Sequence, residues 1–431
     1  MHNPNDASTV SKSRNAKAGT LASIVLAAAT LLSPNTAAQV QPVGIHSPIT
    51  TAQMHPVKFN RPPKATQVWD INSQTKDDKG NVIPDCFGQD FGSIVHYPGW
   101  DRWLLFYGAV SDLGPYGSCP AEKKGYSEDI WLTWSATDGV AFGQELGARP
   151  PLLVLNSMDY AKFLNEHECD ASPCVSTDNS GWLIGDPAVG IGKSGTWYMF
   201  FDTQLPACDG RSDPIPENGI YAASTKTWNA FPWNINGRPK TPYGSDLPGN
   251  PRFNFPTVFS DPLTEQLILY YNDRNLEIHA GEIVDDGIGT TIRPLSDAPV
   301  LPGATADRIS VYEKNGKYYA VADNFGQGKP ESLDSLWLLG PSDVPYSFDW
   351  SSRQQLLKTV PDTFYSFNLW APSVISPEYT GDGTTRVYFW GNGLPGCGPY
   401  KVHMSAGVII LPKEFELPRP ILLPPPPEPR Y

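Results

Sequence analysis

The sequence predicts an all-β fold built from five repeated antiparallel sheets, on three observations. A short opening strand with an x-Pro-x-Val flavour recurs five times. An aromatic-rich apolar run follows each copy. Each unit then closes in a third run that ends on a small residue. A length of 431 residues would by itself suggest several domains. Repeated units of this kind point instead to one ring or stack of similar sheets.

The five openings are Phe91-Gly-Ser-Ile94, Asp186-Pro-Ala-Val189, Phe255-Pro-Thr-Val258, Arg308-Ile-Ser-Val311 and Ala371-Pro-Ser-Val374. The runs that follow are Trp103–Tyr107, Trp197–Phe201, Leu267–Tyr271, Lys317–Val321 and Arg386–Trp390. Their length and their β-branched and aromatic content read as buried strands. Asn315-Gly316 and Gly381-Asp-Gly383 precede two of them, as hairpin turns should. The closing runs are Ile130–Ser135, Ile220–Ser224, Glu277–Gly281, Leu336–Gly340 and Lys401–Ser405. Room remains for a fourth strand in each unit. A lone sheet of this size cannot bury both faces, and stacking five in a ring does, which makes a five-bladed β-propeller. A pair of β-sandwiches is the competing arrangement. No segment of useful length shows a helical period. The expected boundaries are a lead-in at 39–66, the propeller at 67–412 and a Pro-rich, extended tail at 413–431.

Composition fits this class and excludes others. Gly (38) and Pro (44) are abundant, as many short strands and turns require. The net charge of −13 argues against nucleic acid, which needs a basic face. Residues 1–38 read as a secretory signal. They hold a basic start at Lys12, Arg14 and Lys17, an apolar run from Leu21 to Leu32, and Thr36-Ala37-Ala38 as a cleavage pattern. That run is short for a bilayer span, so no membrane association is expected after cleavage. The expected location is extracellular or periplasmic, and the expected state is a monomer. Export makes disulfides the default for Cys86, Cys119, Cys169, Cys174, Cys208 and Cys397. The pairing is left open, with Cys169 and Cys174 as one local candidate. His167 beside them invites a zinc reading, but a second ligand pair at similar spacing is lacking.

Several motifs carry a resemblance. Asp186-Pro-Ala-Val, followed by Gly195-Thr-Trp-Tyr-Met-Phe-Phe201, resembles the Asp-Pro blade opening of glycoside hydrolase family 43. Leu369-Trp-Ala-Pro-Ser-Val374 is similar to that family's Trp-Ala-Pro opening. Ser135-Ala-Thr-Asp-Gly139 resembles blade endings found there and in families 32, 62, 68 and 117. The resemblance spans roughly residues 85–410. It implies a secreted glycosidase acting on pentose or furanose sugars, with three carboxylates on the first strands of different blades.

Glycoside hydrolysis needs at least two carboxyl groups. One protonates the leaving oxygen, and the other activates water or attacks the anomeric carbon. Asp186 matches the Asp-Pro position. Asp90 and Asp307 each stand one residue before the matching place, and a one-residue shift turns a strand side chain to the opposite face. The family's acidic Glu-Gly-Pro opening is replaced by Ala306-Asp-Arg308. Expected substrate contacts are Trp370, Asn254 and Arg308. An aromatic ring can cover a sugar face, an amide can meet a hydroxyl, and a guanidinium can hold a carboxylate. Trp370 is also a natural core residue. Trp69-Asp70 faintly resembles the nucleophile motif of family 68, without its following residues. No catalytic metal or cofactor is expected, a structural calcium ion aside. Lys76-Asp-Asp-Lys-Gly80 lacks the ligand spacing for one. The alternative function is a non-catalytic, carbohydrate-binding propeller.

Overall fold

The computed structural model describes residues 63–69, 89–96, 102–110, 128–142, 152–167, 183–204, 219–245, 247, 255–273, 275–304, 306, 308–324, 334–366, 368–395 and 402–413. All of them belong to one compact unit, Ala52–Tyr431. The expected signal segment, all six cysteines, Asp70, Lys76–Gly80, Asn254, Asp307 and nearly all of the Pro-rich tail lie outside the described residues.

The strands form five four-stranded antiparallel blades. Blade 1 is β2 (Gln89–Val95), β3 (Trp103–Val110), β4 (Glu128–Ser135) and β5 (Leu152–Leu155). Blade 2 is β6 (Leu183–Ile191), β7 (Trp197–Gln204), β8 (Gly219–Thr225) and β9 (Asn234–Gly237). Blade 3 is β10 (Thr257–Ser260), β11 (Leu267–Asn272), β12 (Ile278–Ile283) and β13 (Ile292–Pro294). Blade 4 is β14 (Ile309–Lys314), β15 (Lys317–Ala322), β16 (Ser335–Ser342) and β17 (Gln354–Lys358). Blade 5 is β18 (Asn368–Ile375), β19 (Thr385–Pro395) and β20 (Val402–Leu411), completed by β1 (Thr66–Trp69). Blades 1 and 2 also touch at one parallel pair, Glu128 opposite Leu183.

Two features close the ring. First, the inner strands meet in cyclic order: β2 with β6, β6 with β10, β10 with β14, β14 with β18, and β18 with β2. Second, five apolar clusters fill five interfaces. Phe106 and Phe201 pack between blades 1 and 2, and Phe200 and Leu269 between blades 2 and 3. Tyr270 and Val311 pack between blades 3 and 4, Leu338 and Phe389 between blades 4 and 5, and Tyr107 and Trp390 between blades 5 and 1. The aromatic runs are therefore the packing layers between blades, where large rings exclude the most water per residue. A pair of sandwiches would leave the interface between the first and last sheets unmade.

The third residue of the opening motif has a specific job. The Ser93 hydroxyl accepts from the Val189 amide at 3.1 Å, Ser310 from Val374 at 2.9 Å, and Ser373 from Ile94 at 3.1 Å. The Thr257 hydroxyl donates to the Ile309 carbonyl at 2.6 Å. Each hydroxyl thus ties its inner strand to the next blade's inner strand. Blade 2 has Ala188 at this position.

Two elements were not read from the sequence. Strand β1 pairs antiparallel with β20, so the N-terminal stretch completes the last blade. Helix α1 (Ser157–His167) contradicts the expectation that no helix forms. Its apolar stripe is only Tyr160, Ala161 and Leu164, too short to show a period. Local caps and burial set it instead. The Asn156 side chain accepts from the Asp159 amide at 2.7 Å, and Tyr160 packs edge-on to Tyr221.

The openings of blades 1, 2 and 5 share a β-bulge. Residues 90 to 93 span partners Gly108 to Phe106, and residues 185 to 188 span Asp202 to Phe200. One extra residue therefore enters each of these inner strands. In blade 1 the bulge needs Gly92, where a Cβ would lie 2.0 Å from the Phe106 carbonyl oxygen. Gly92→Ala is expected to destabilise by about 3 kcal/mol, because backbone cannot move aside as a side chain can. A urea-unfolding midpoint equal to wild type would refute this.

Candidate active site at one end of the propeller axis

The pairing of first and second strands allows the blades to be superposed by register. Ser93, Ala188, Thr257, Ser310 and Ser373 pair with Phe106, Phe200, Tyr270, Val321 and Tyr388. Two residues earlier, the position of Asp186 is taken by Phe91, Phe255, Arg308 and Ala371 in the other blades. At the end of the second strand, the position of Asp202 is taken by Gly108, Asn272, Asp323 and Trp390.

Asp186 is held in a left-handed conformation at φ 54°, and Ala371, its counterpart, at φ 47°. Such values cost a non-glycine residue of order 1 kcal/mol or more, and they persist where the surroundings over-determine them. At Asp186 the surroundings include a charge. Its Oδ1 accepts from Nη2 of Arg308 in a buried ion pair. Asp186 belongs to blade 2 and Arg308 to blade 4, so the pair reaches across the ring at the axis. The Arg308 guanidinium also lies 5.0 Å from the centre of the Phe255 ring, in the blade between them.

Asp323 braces this arrangement. Its Oδ1 accepts from the Arg308 amide at 2.9 Å, and its Oδ2 accepts from the Ala371 amide at 3.0 Å. One buried carboxylate thereby fixes the start of the blade 4 inner strand and the bulge of blade 5. Asp202 is also buried. It stands opposite Gly185, beside Asp186, and its Oδ1 accepts from the Thr203 amide at 2.8 Å. Asn272 completes this polar layer in blade 3.

Of the sequence-predicted residues, Asp186 and Arg308 come together. Asp90 occupies the Gly185 position rather than that of Asp186. The bulge in blade 1 is the same as in blade 2, so it preserves the one-residue offset. Trp370 is half-buried, with its ring packed against the cluster between blades 5 and 1. Asp323, Asp202 and Asn272 were not singled out from the sequence. Their signal is regular: each directly follows an apolar run, in Phe201-Asp202, Tyr271-Asn272 and Ala322-Asp323.

The other end of the axis differs. Val189 lies three residues, about 10 Å of strand, beyond Asp186. There a cavity is lined by Ile94, Val189, Val258 and Val374, with His96 and Tyr379 further on. Burial holds the His96 imidazole below its usual range, against the backbone bond from its Nδ1 to the Arg102 carbonyl, and the charge of Arg386 lowers it further. Near this end, helix α2 (Pro377–Thr380) carries Glu378, whose carboxyl is raised to about 7 by burial and by Glu313, its hydrogen-bonded neighbour. The folded state keeps this proton where the unfolded chain has released it. Stability contributed here is therefore lost as the pH rises from about 4.5 to about 7. Glu378 lies at the surface, so water screens the effect and keeps it small. Glu378→Gln is expected to gain in urea midpoint relative to wild type over that window. An unchanged difference at the two pH values would contradict it.

The fold and site define a five-bladed β-propeller with an acidic and arginine-paired layer at one end of its axis. No known family model and no curated protein matches the sequence. Similar solved structures include a family 43 β-1,3-galactosidase with galactodeoxynojirimycin, at 14% identity, TM-score 0.46, covering 80% of this chain and 94% of that one. A family 117 glycoside hydrolase from Zobellia galactanivorans is similar at 12% identity and TM-score 0.48, over 80% and 89% of the two chains. A family 43 enzyme from Xanthomonas citri with xylose is similar at 13% identity and TM-score 0.46, over 76% and 89%.

Proposed function

We propose that this chain is a secreted, monomeric glycoside hydrolase acting on polysaccharide or oligosaccharide that contains pentose or furanose sugars. The observation that carries the reading is the Asp186–Arg308 ion pair across the axis. As half of an ion pair, Asp186 offers an ionised carboxylate. That suits the group which activates water, attacks the anomeric carbon or stabilises an oxocarbenium ion. Arg308 orients it, and Asp323 orients Arg308 through the backbone. A second carboxyl must protonate the leaving oxygen. Asp202 beside Asp186 is one source, and Asp90 of blade 1 and Asp307, next to Arg308 in sequence, are the others. Asn254 and Trp370 would then contact the sugar, and the chemistry calls for no cofactor.

Support also comes from the Asp-Pro and Trp-Ala-Pro openings, which both place a strained residue at the same register position. The test is incubation with arabinan, xylan, galactan and fructan oligomers, followed by chromatography of the products. Release of shorter sugars from at least one is expected.

A second reading is a non-catalytic carbohydrate-binding propeller. It is favoured by the burial of the central pair, with Asp186 at 5% and Arg308 at 3% exposure. Binding of an oligomer without any product after long incubation would select it.

A further inference from the structure

Blade 3 carries a cluster that the proposed reaction does not use. We propose that Asp273, Glu277 and His279 bind a divalent transition-metal cation, with Zn2+ as the representative ion. The register places the three together. Asn272 pairs with Ile278 and Tyr271 with His279, and the Asp273 amide donates to the Glu277 carbonyl at 2.9 Å. Side chains alternate along a strand, so Asp273, Glu277 and His279 share one face at the end of the β11–β12 hairpin.

The spacing suits a metal. One ligand atom from each residue lies within 4.8 Å of the others, and His279 Nε2 is 3.5 Å from Asp273 Oδ2. Ligands held about 2.0–2.2 Å from Zn2+ stand roughly 3–4 Å apart. The site is also partly preset. Asp273 Oδ1 accepts from the Asn275 and Glu277 amides at 2.8 and 3.0 Å, which turns Oδ2 toward the imidazole.

A further observation points to a cation. Asp273 and Glu277 are directly opposed across the hairpin, and like charges so placed repel. Among the described residues, no Lys or Arg forms an ion pair with either carboxylate. A bound divalent ion would relieve that repulsion.

The donor set selects the metal class. One imidazole nitrogen with two carboxylate oxygens suits Zn2+ and its transition-metal neighbours. Ca2+ prefers six to eight oxygens, as general coordination chemistry has it. All three side chains are half-buried, so water can complete the coordination. Asn272, next to Asp273, belongs to the polar layer at the Asp186 end, so the ion would border the candidate active site.

The test uses the full-length protein, stripped with a chelator and titrated with ZnCl2 by calorimetry. Wild type should bind at least about tenfold more tightly than His279→Gln, Glu277→Gln or Asp273→Asn, the size of effect seen when a metal site loses a supporting group. Asn at 273 keeps the Oδ1 acceptor that the turn uses, which protects the fold. Glu282→Gln on the same hairpin should bind as wild type does, since Glu282 pairs with Arg293. Co2+ should give d–d bands without the sulfur charge-transfer band of a cysteine site. Thermal unfolding in chelator verifies that each variant is folded; if one is not, the remaining two decide. Equal Zn2+ affinity in wild type and folded variants would overturn the site. So would a thiolate cobalt spectrum, or no measurable binding.

Discussion

Arg308→Leu is expected to cost about 3–5 kcal/mol of stability, because it leaves the Asp186 carboxylate buried without its counter-charge. The cost comes from the stranded charge more than from the lost bond. Removing both charges should therefore recover much of it. In the double variant Asp186→Asn with Arg308→Leu, the urea midpoint should lie above that of Arg308→Leu alone. The coupling between the two sites should exceed the roughly 0.5 kcal/mol scatter of independent mutations. Additive losses would mean that the two groups do not form a pair. Arg308 also packs over Phe255, so some loss should remain in the double variant.

Asp186→Asn is expected to lower kcat by about 10²–10⁴ on any oligosaccharide the protein hydrolyses, the range general acid–base groups supply. The side chains have nearly the same shape, and Asn tolerates the left-handed conformation that residue 186 adopts. The fold should therefore survive, with a circular dichroism spectrum like that of wild type. KM should change little, because the lost interaction belongs to the transition state. Full activity in the folded variant would remove Asp186 from the reaction.

Much of the architecture was legible because the repeat is built from packing. The aromatic runs are the layers between blades, and the Ser or Thr of the opening motif bonds to the next inner strand. The first need recurs in all five blades and the second in four, so both leave a periodic trace. Strand β1 left none, because its partner β20 lies at the other end of the sequence. Helix α1 left little, because three buried apolar residues are too few to show a period.

The candidate site was only partly readable for a related reason. Asp186 stood out through its proline. Arg308 stood out as a charge within an apolar opening. Asp323 acts through two backbone amides on separate blades, a role that depends on register rather than on neighbouring letters. The bulge that could have brought Asp90 into line is present, yet it is common to both blades and cancels in the comparison.

A crystal structure of Asp186→Asn soaked with an oligosaccharide that wild type cleaves gives the most direct check. A sugar seated at the axis, with its glycosidic linkage beside residue 186 and Arg308, is the predicted result. A sugar held on an outer strand, or at the valine-lined end of the axis, would contradict it.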